Sequence, residues 1–132
     1  MKALALALLL GSPALAKTQS PPLNADQFAA YVEGKTLSWS SGDQLWGTEE
    51  YLPNRRVLWT DEQNECQIGT WYPQGDQICF AYEGAQRPAC WIFRLGQTGL
   101  ISELQGGSGP LLLNESGQST TGLPCPGPAL GV

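Results

Sequence analysis

The chain has 132 residues, 7 Lys or Arg against 12 Asp or Glu, four cysteines and no histidine. A net charge of −5 repels phosphate backbones and anionic lipid, which disfavours nucleic-acid binding. The missing imidazole removes histidine triads, histidine metal ligands and the usual near-neutral pH switch.

The first residues read as an export leader. Lys2 gives a minimal positive start, Ala3 to Leu10 is apolar but too short to anchor in a bilayer, and Ala14-Leu15-Ala16 is a small-x-small cleavage pattern. Residues 1–16 are therefore expected to be removed, with no cysteine at the new terminus to acylate and a mature chain starting at Lys17. Losing Lys2 takes the charge from −5 to −6. No later segment reaches the length of a membrane span, so no membrane association is expected after cleavage, and the expected location is periplasmic or secreted, in a Gram-negative bacterium.

Residues 17–23 (KTQSPPL) read as a flexible lead-in, and 24–132 as a single β-rich domain with a proline-rich C-terminal tail. Asn24 with Gln27 three residues on forms a capping-box pattern, and Phe28, Tyr31 and Val32 fall on one face of a short helix ended by Gly34. From Lys35 the period changes to two. Strands are expected at Thr36–Ser40, Trp46–Leu52 and Arg55–Thr60, the last two joined by a tight turn at Pro53-Asn54. An acidic loop, Asp61 to Glu65, precedes a three-stranded meander from Cys66 to Leu95. Gly99–Leu104 is the next strand, Gln105–Pro110 a glycine-rich loop, and Leu111–Leu113 a short last strand before the polar run Asn114–Gly122. The fold class is mainly β: a small antiparallel barrel or sandwich of about 7–8 short strands after one short N-terminal helix.

Four cysteines without a C-x-x-C in an exported chain favour disulfides over zinc. Their three possible connectivities stay open, but strand register favours one. Centring the first meander turn on Gln74-Gly75 sets Trp71 opposite Ile78, Gly69 opposite Phe80 and Thr70 opposite Cys79. Centring the second on Gly84-Ala85 sets Ile78 opposite Trp91 and Cys79 opposite Cys90. Trp71, Ile78, Phe80, Trp91 and Phe93 then share the core face, Cys79 and Cys90 bridge on the other, and Cys66 is left for Cys125. On this reading the meander is a scaffold, and function belongs to the Arg55-Arg56 hairpin, the Asp61–Glu65 loop or an aromatic outside the core.

No catalytic, cofactor or metal residue is assigned. Glu49-Glu50, Asp61-Glu62-Glu65 and Glu83 would serve a glycosidase only if two converged on one cleft, and solvated charge is their ordinary role. The acidic loop lacks the ligand alternation and glycine of a calcium-binding EF-hand loop. Gly106-Gly107-Ser108-Gly109 is followed by Pro110 rather than a helix, so it lacks the dipole a phosphate loop uses, and Asn114-Glu115-Ser116 is a bare glycosylation triplet. The five tryptophans and four tyrosines are many for this length. Alternation leaves Tyr72 or Trp59 off the core face, and an open barrel with aromatic walls holds an apolar or sugar-like ligand. Arg55, Arg56, Trp59 and Tyr72 form the expected binding surface, the arginines as a grip for an anion or a partner carboxylate.

The runs Gly47 to Trp59 (GTEEYLPNRRVLW), Gly69 to Tyr72 (GTWY), Gln77 to Glu83 (QICFAYE), Pro88 to Trp91 (PACW) and Cys125 to Pro128 (CPGP) together resemble a family of small exported alphaproteobacterial proteins of unknown function. The resemblance spans nearly the whole mature chain and implies no catalytic residue. Some members carry the name dihydrodipicolinate reductase. A Rossmann reductase is disfavoured here, because the chain lacks the glycine fingerprint, the βαβ pattern and the length. The expected role is a non-catalytic module binding a periplasmic small molecule or protein. The alternative is a small carboxylate-dependent hydrolase of a cell-envelope polymer.

Overall fold

Asn24 and Gln27 do close a capping box: the Asn24 side chain accepts the Gln27 N–H at 2.8 Å, and the Gln27 side chain accepts the Asn24 N–H at 2.9 Å. They start helix α1 (Ala25–Val32), after which Gly34 turns at φ 82°. In the computed structural model, which describes residues 10–13, 19–63 and 65–125, this eight-residue helix has one apolar face, and that face is fully used. Phe28 and Val32 are buried to 0% and 1% exposure. So short a helix is unstable alone, and packing supplies what propensity does not. The expected cleavage site at Ala16 and residues 126–132 of the tail lie outside the described residues.

Eight strands follow: β1 (Thr36–Ser41), β2 (Gln44–Leu52), β3 (Arg56–Thr60), β4 (Cys66–Gln74), β5 (Gln77–Tyr82), β6 (Ala89–Leu95), β7 (Leu100–Gln105) and β8 (Leu112–Ser119). Each pairs antiparallel with the next, and β8 pairs with β1, so the sheet closes into a barrel. Closure leaves no free sheet edge. The up-and-down order gives the barrel two distinct ends. Turns 53–55, 75–76 and 96–99 lie at the end covered by α1, where the Gly34 N–H donates to the Tyr51 carbonyl at 2.9 Å. Connections 42–43, 61–65, 83–88 and 106–111 lie at the other end.

Phe28 plugs the helix end. Its ring packs against Tyr51, Trp71, Phe80 and Phe93, with centroid separations of 5.8, 5.1, 6.3 and 4.5 Å. Leu37, Trp39, Val57, Ile78, Leu100 and Leu113 complete the core. Leu23, the last residue of the expected lead-in, joins them: it is buried, and its N–H donates to the Phe93 carbonyl at 2.8 Å.

The second meander turn is as the sequence implies, with Ile78 opposite Trp91 and Cys79 opposite Cys90. The first lies one residue later than expected, which shifts each cross-strand partner by two. It turns on Gly75-Asp76, where Gly75 supplies φ 58°, so Trp71 lies opposite Phe80, Tyr72 opposite Cys79 and Gly69 opposite Tyr82. An even shift leaves every side chain on its expected face, which is why the core assignment survives. Trp59, by contrast, points inward with Val57 and packs in part on the core, while Tyr72 stays outside at 36% exposure. Strand β8 also runs well past Leu113 through the polar segment. There Glu115 accepts hydrogen bonds from the Tyr31 hydroxyl and the Leu100 N–H, both at 2.8 Å, so a polar strand residue is satisfied by the helix and a neighbouring strand.

Both disulfides form as the register favoured, Cys79–Cys90 across β5 and β6 and Cys66–Cys125 from β4 to the tail. The tail is also held by the Leu123 N–H donating to Glu50 at 2.8 Å. Anchored on β2 and β4, it spans the outer face on which Leu58 of β3 lies, and Leu58 is 1% exposed despite facing away from the core.

Truncating the plug tests this arrangement. Phe28→Ala is expected to cost about 3–5 kcal/mol in urea unfolding, the usual range for a buried phenylalanine in a dense core. A cost below about 1 kcal/mol would mean that the helix does not seal the barrel.

Candidate functional site

The end away from α1 is not filled. A cavity of about 180 Å³ opens there, walled by Trp39, Trp46, Trp59, Trp91, Tyr82 and Phe93, with Glu49 among the lining residues. Trp46 stands at the rim, 43% exposed, and it shares with Trp59 a second, shallower groove lined by Asp61, Glu62 and Gln63. The groove beside the acidic loop and the cavity in the barrel thus meet at the same two tryptophans.

The walls are set by strand alternation. Gly47, Glu49 and Tyr51 are the inward residues of β2, Phe80 and Tyr82 those of β5, and Ala89, Trp91 and Phe93 those of β6. Two glycines shape the rings. A Cβ on Gly47 would overlap the indole of Trp59, and one on Gly69 would come within 2.8 Å of the Tyr82 ring. Absent side chains let both rings come up against the backbone of the neighbouring strand, the close approach that glycine in a strand permits.

Among the described residues Glu49 is the one ionisable carboxyl lining the cavity, and it is 3% exposed. Its Oε2 accepts the Tyr82 hydroxyl at 2.7 Å, while Oε1 is buried and has no protein partner. Burial away from water disfavours the charged form and pushes its pKa from 4.5 up to about 8, against which the tyrosine hydrogen bond is a smaller, opposing effect. The Tyr82 and Tyr51 hydroxyls are themselves raised well above 10, first by burial and then by the nearby Glu49. Two donors nearby are engaged: the Trp39 indole N–H donates to the Tyr51 hydroxyl at 3.2 Å, and the Ser102 hydroxyl to the Leu113 carbonyl at 3.2 Å. At neutral pH the site thus holds a neutral carboxylic acid in an aromatic enclosure.

The four residues expected to form a binding surface do not converge. Trp59 is in the cavity wall, but Tyr72 lies on the outer face, beside Cys79. Arg55 and Arg56 belong to the helix-end hairpin, at the opposite end of the barrel. Arg55 adopts φ 58°, an uncommon conformation for a long side chain, and its guanidinium lies 4.8 Å from the Trp71 ring centroid, so its charge is engaged in a cation–π contact. The meander read as pure scaffold instead supplies Phe80, Tyr82, Ala89, Trp91 and Phe93 to the cavity. Glu49 was grouped with Glu50 as solvated charge. The cue that separates them is alternation around Tyr51, which sends Glu49 inward and Glu50 out to the tail.

Compared with family models, curated proteins and solved structures, the chain has no significant match.

The raised Glu49 pKa has a signed consequence for stability. The folded protein binds a proton that the unfolded chain releases near 4.5, so this contribution is fully present below about pH 4.5 and is lost as pH rises through 8. Wild type is expected to lose stability between pH 5 and pH 8.5, on the order of a few kcal/mol more than Glu49→Gln, in urea titrations at the two pH values. Parallel pH curves for the two proteins would contradict the burial of an un-ionised acid.

Proposed function

We propose that this protein is an exported, non-catalytic binding module of the periplasm whose small-molecule ligand occupies the tryptophan-walled mouth of the barrel. The observation that carries the reading is an aromatic cavity, left open at one end of an otherwise packed barrel, with an unpaired polar atom inside it. Ligand sites have this composition: mostly apolar walls with few, well-placed polar groups. The two disulfides suit an oxidising compartment, and the apolar leader read over residues 1–16 would deliver the chain there. The runs that carry the family resemblance also supply Glu49, Tyr51, Trp59, Phe80, Tyr82 and Trp91 to the cavity, so the proposal extends to relatives sharing those runs.

The hydrolase alternative asks for two carboxyls facing one bond. Among the described residues the cavity lining contributes one, Glu49, and the Asp61 and Glu62 side chains line the groove outside the tryptophans. Binding without turnover fits this arrangement better.

A cavity of about 150 Å³ is enough for benzene in a protein interior, so benzene serves as a neutral probe of the space. Saturating benzene is expected to raise the melting temperature of the wild-type protein by about 2–4 °C. Ala89→Phe, which places a ring in the cavity, should remove that shift while keeping the near-ultraviolet signal of packed tryptophans. No shift in wild type, or an equal shift in the variant, would overturn the cavity as the binding site.

A further inference from the structure

We propose that the ligand of this cavity is a small organic cation, an alkylammonium or quaternary ammonium head group, held against the aromatic faces with Glu49 as its counter-ion. The inference rests on the cavity reading above and adds the charge of the ligand. Three features of the site carry it.

The first is the wall. Trp39, Trp46, Trp59, Trp91 and Tyr82 surround one space, and the faces of such rings are negative, so a cation placed among them is attracted, most strongly by tryptophan. The second is the unpaired atom. Glu49 Oε1 is buried, faces no protein donor and belongs to a residue that is 3% exposed. A buried polar atom without a partner is costly, and one in a ligand-sized cavity is accounted for by a ligand that satisfies it. The third is the absence of competition. Among the described residues no Lys or Arg lines the cavity, the Trp39 and Ser102 donors are engaged by Tyr51 and Leu113, and the neighbouring groove, which shares Trp46 and Trp59, adds Asp61 and Glu62. An anionic ligand would meet negative ring faces, a carboxyl group and an acidic entrance. A cation meets negative ring faces and a carboxyl group that pairs with it on losing its proton.

The chemistry couples binding to a proton. In the empty site Glu49 is protonated below about pH 8, and a cation that pairs with it favours the carboxylate, so binding at lower pH releases one proton. The groups facing Glu49 are Tyr82 from β5, Tyr51 on β2 and the neutral indoles. Both tyrosines titrate well above 10, and the chain has no histidine. Glu49 is therefore the side chain in the site that changes charge between pH 6 and 9.

Choline and its uncharged isostere 3,3-dimethylbutan-1-ol separate the charge of the ligand from its shape. Tryptophan fluorescence titrations of the mature protein at pH 8 should show choline binding at least tenfold tighter than the isostere. Choline affinity should weaken on the order of tenfold for each pH unit from 8 to 6, and level off above about 8. Glu49→Gln, which keeps an acceptor for Tyr82 and removes the charge, should lose at least tenfold in choline affinity and lose its pH dependence, so that choline and the isostere bind alike. Isostere binding as tight as choline in wild type, or undiminished choline binding by Glu49→Gln, would overturn the cation while leaving the cavity reading intact. Binding of neither compound also overturns the cation, and the benzene experiment then decides separately whether the cavity reading falls with it.

Discussion

A carboxyl group enclosed by a barrel and held by one tyrosine hydroxyl sets the terms for the open end of this molecule. Glu49 and Tyr82 sit on β2 and β5, and their 2.7 Å hydrogen bond spans the interior rather than joining neighbouring strands. Satisfying one carboxyl oxygen and leaving the other bare is a costly way to fill a core. It is compatible with folding because the acid takes up a proton, which removes the larger cost of burying a charge. The close contact of Trp59 with Gly47 and of Tyr82 with Gly69 then restricts the rings around it.

The two ends of the barrel divide the work. At one end Phe28 meets four aromatic rings and α1 seals the interior, so stability is concentrated there. At the other the inward side chains are as large, yet they line a space instead of filling it. The disulfides reinforce the wall between the ends. Cys79–Cys90 ties β5 to β6, the strands carrying Tyr82 and Trp91, and Cys66–Cys125 pins the tail across the outside of β3. Each crosslink stabilises the folded barrel mainly by restricting the unfolded chain.

Much of the fold was legible in the sequence because it is written in local rules. The capping box, the strand alternation and the glycine turns identify α1 and most of the strands, and the Cys79–Cys90 pairing follows from where the second meander turn falls. Gln74-Gly75 and Gly75-Asp76 both offer a glycine for the first meander turn, and no local rule chooses the second, which sets Trp71 opposite Phe80. The last strand was cut short because β8 is polar on both faces, its inward Glu115 being satisfied by Tyr31 of the distant helix. The site was harder to see. Arg55 and Arg56 drew notice as paired charges at a hairpin tip, but strand direction puts that tip beside the plug. Glu49 was hidden in a Glu-Glu pair, and nothing local says that eight strands close and bury its inward member. Trp59, expected as a surface aromatic, lines the cavity instead.

The central claim is that Glu49 is an un-ionised acid at neutral pH inside an aromatic enclosure. Carbon-13 NMR of the glutamate carboxyls, titrated from pH 4 to pH 10 with Glu49→Gln to assign the signal, measures this directly. The account expects one carboxyl to titrate near pH 8, well apart from the others, and to vanish in the variant. Titration of every glutamate below about pH 5.5 would contradict it.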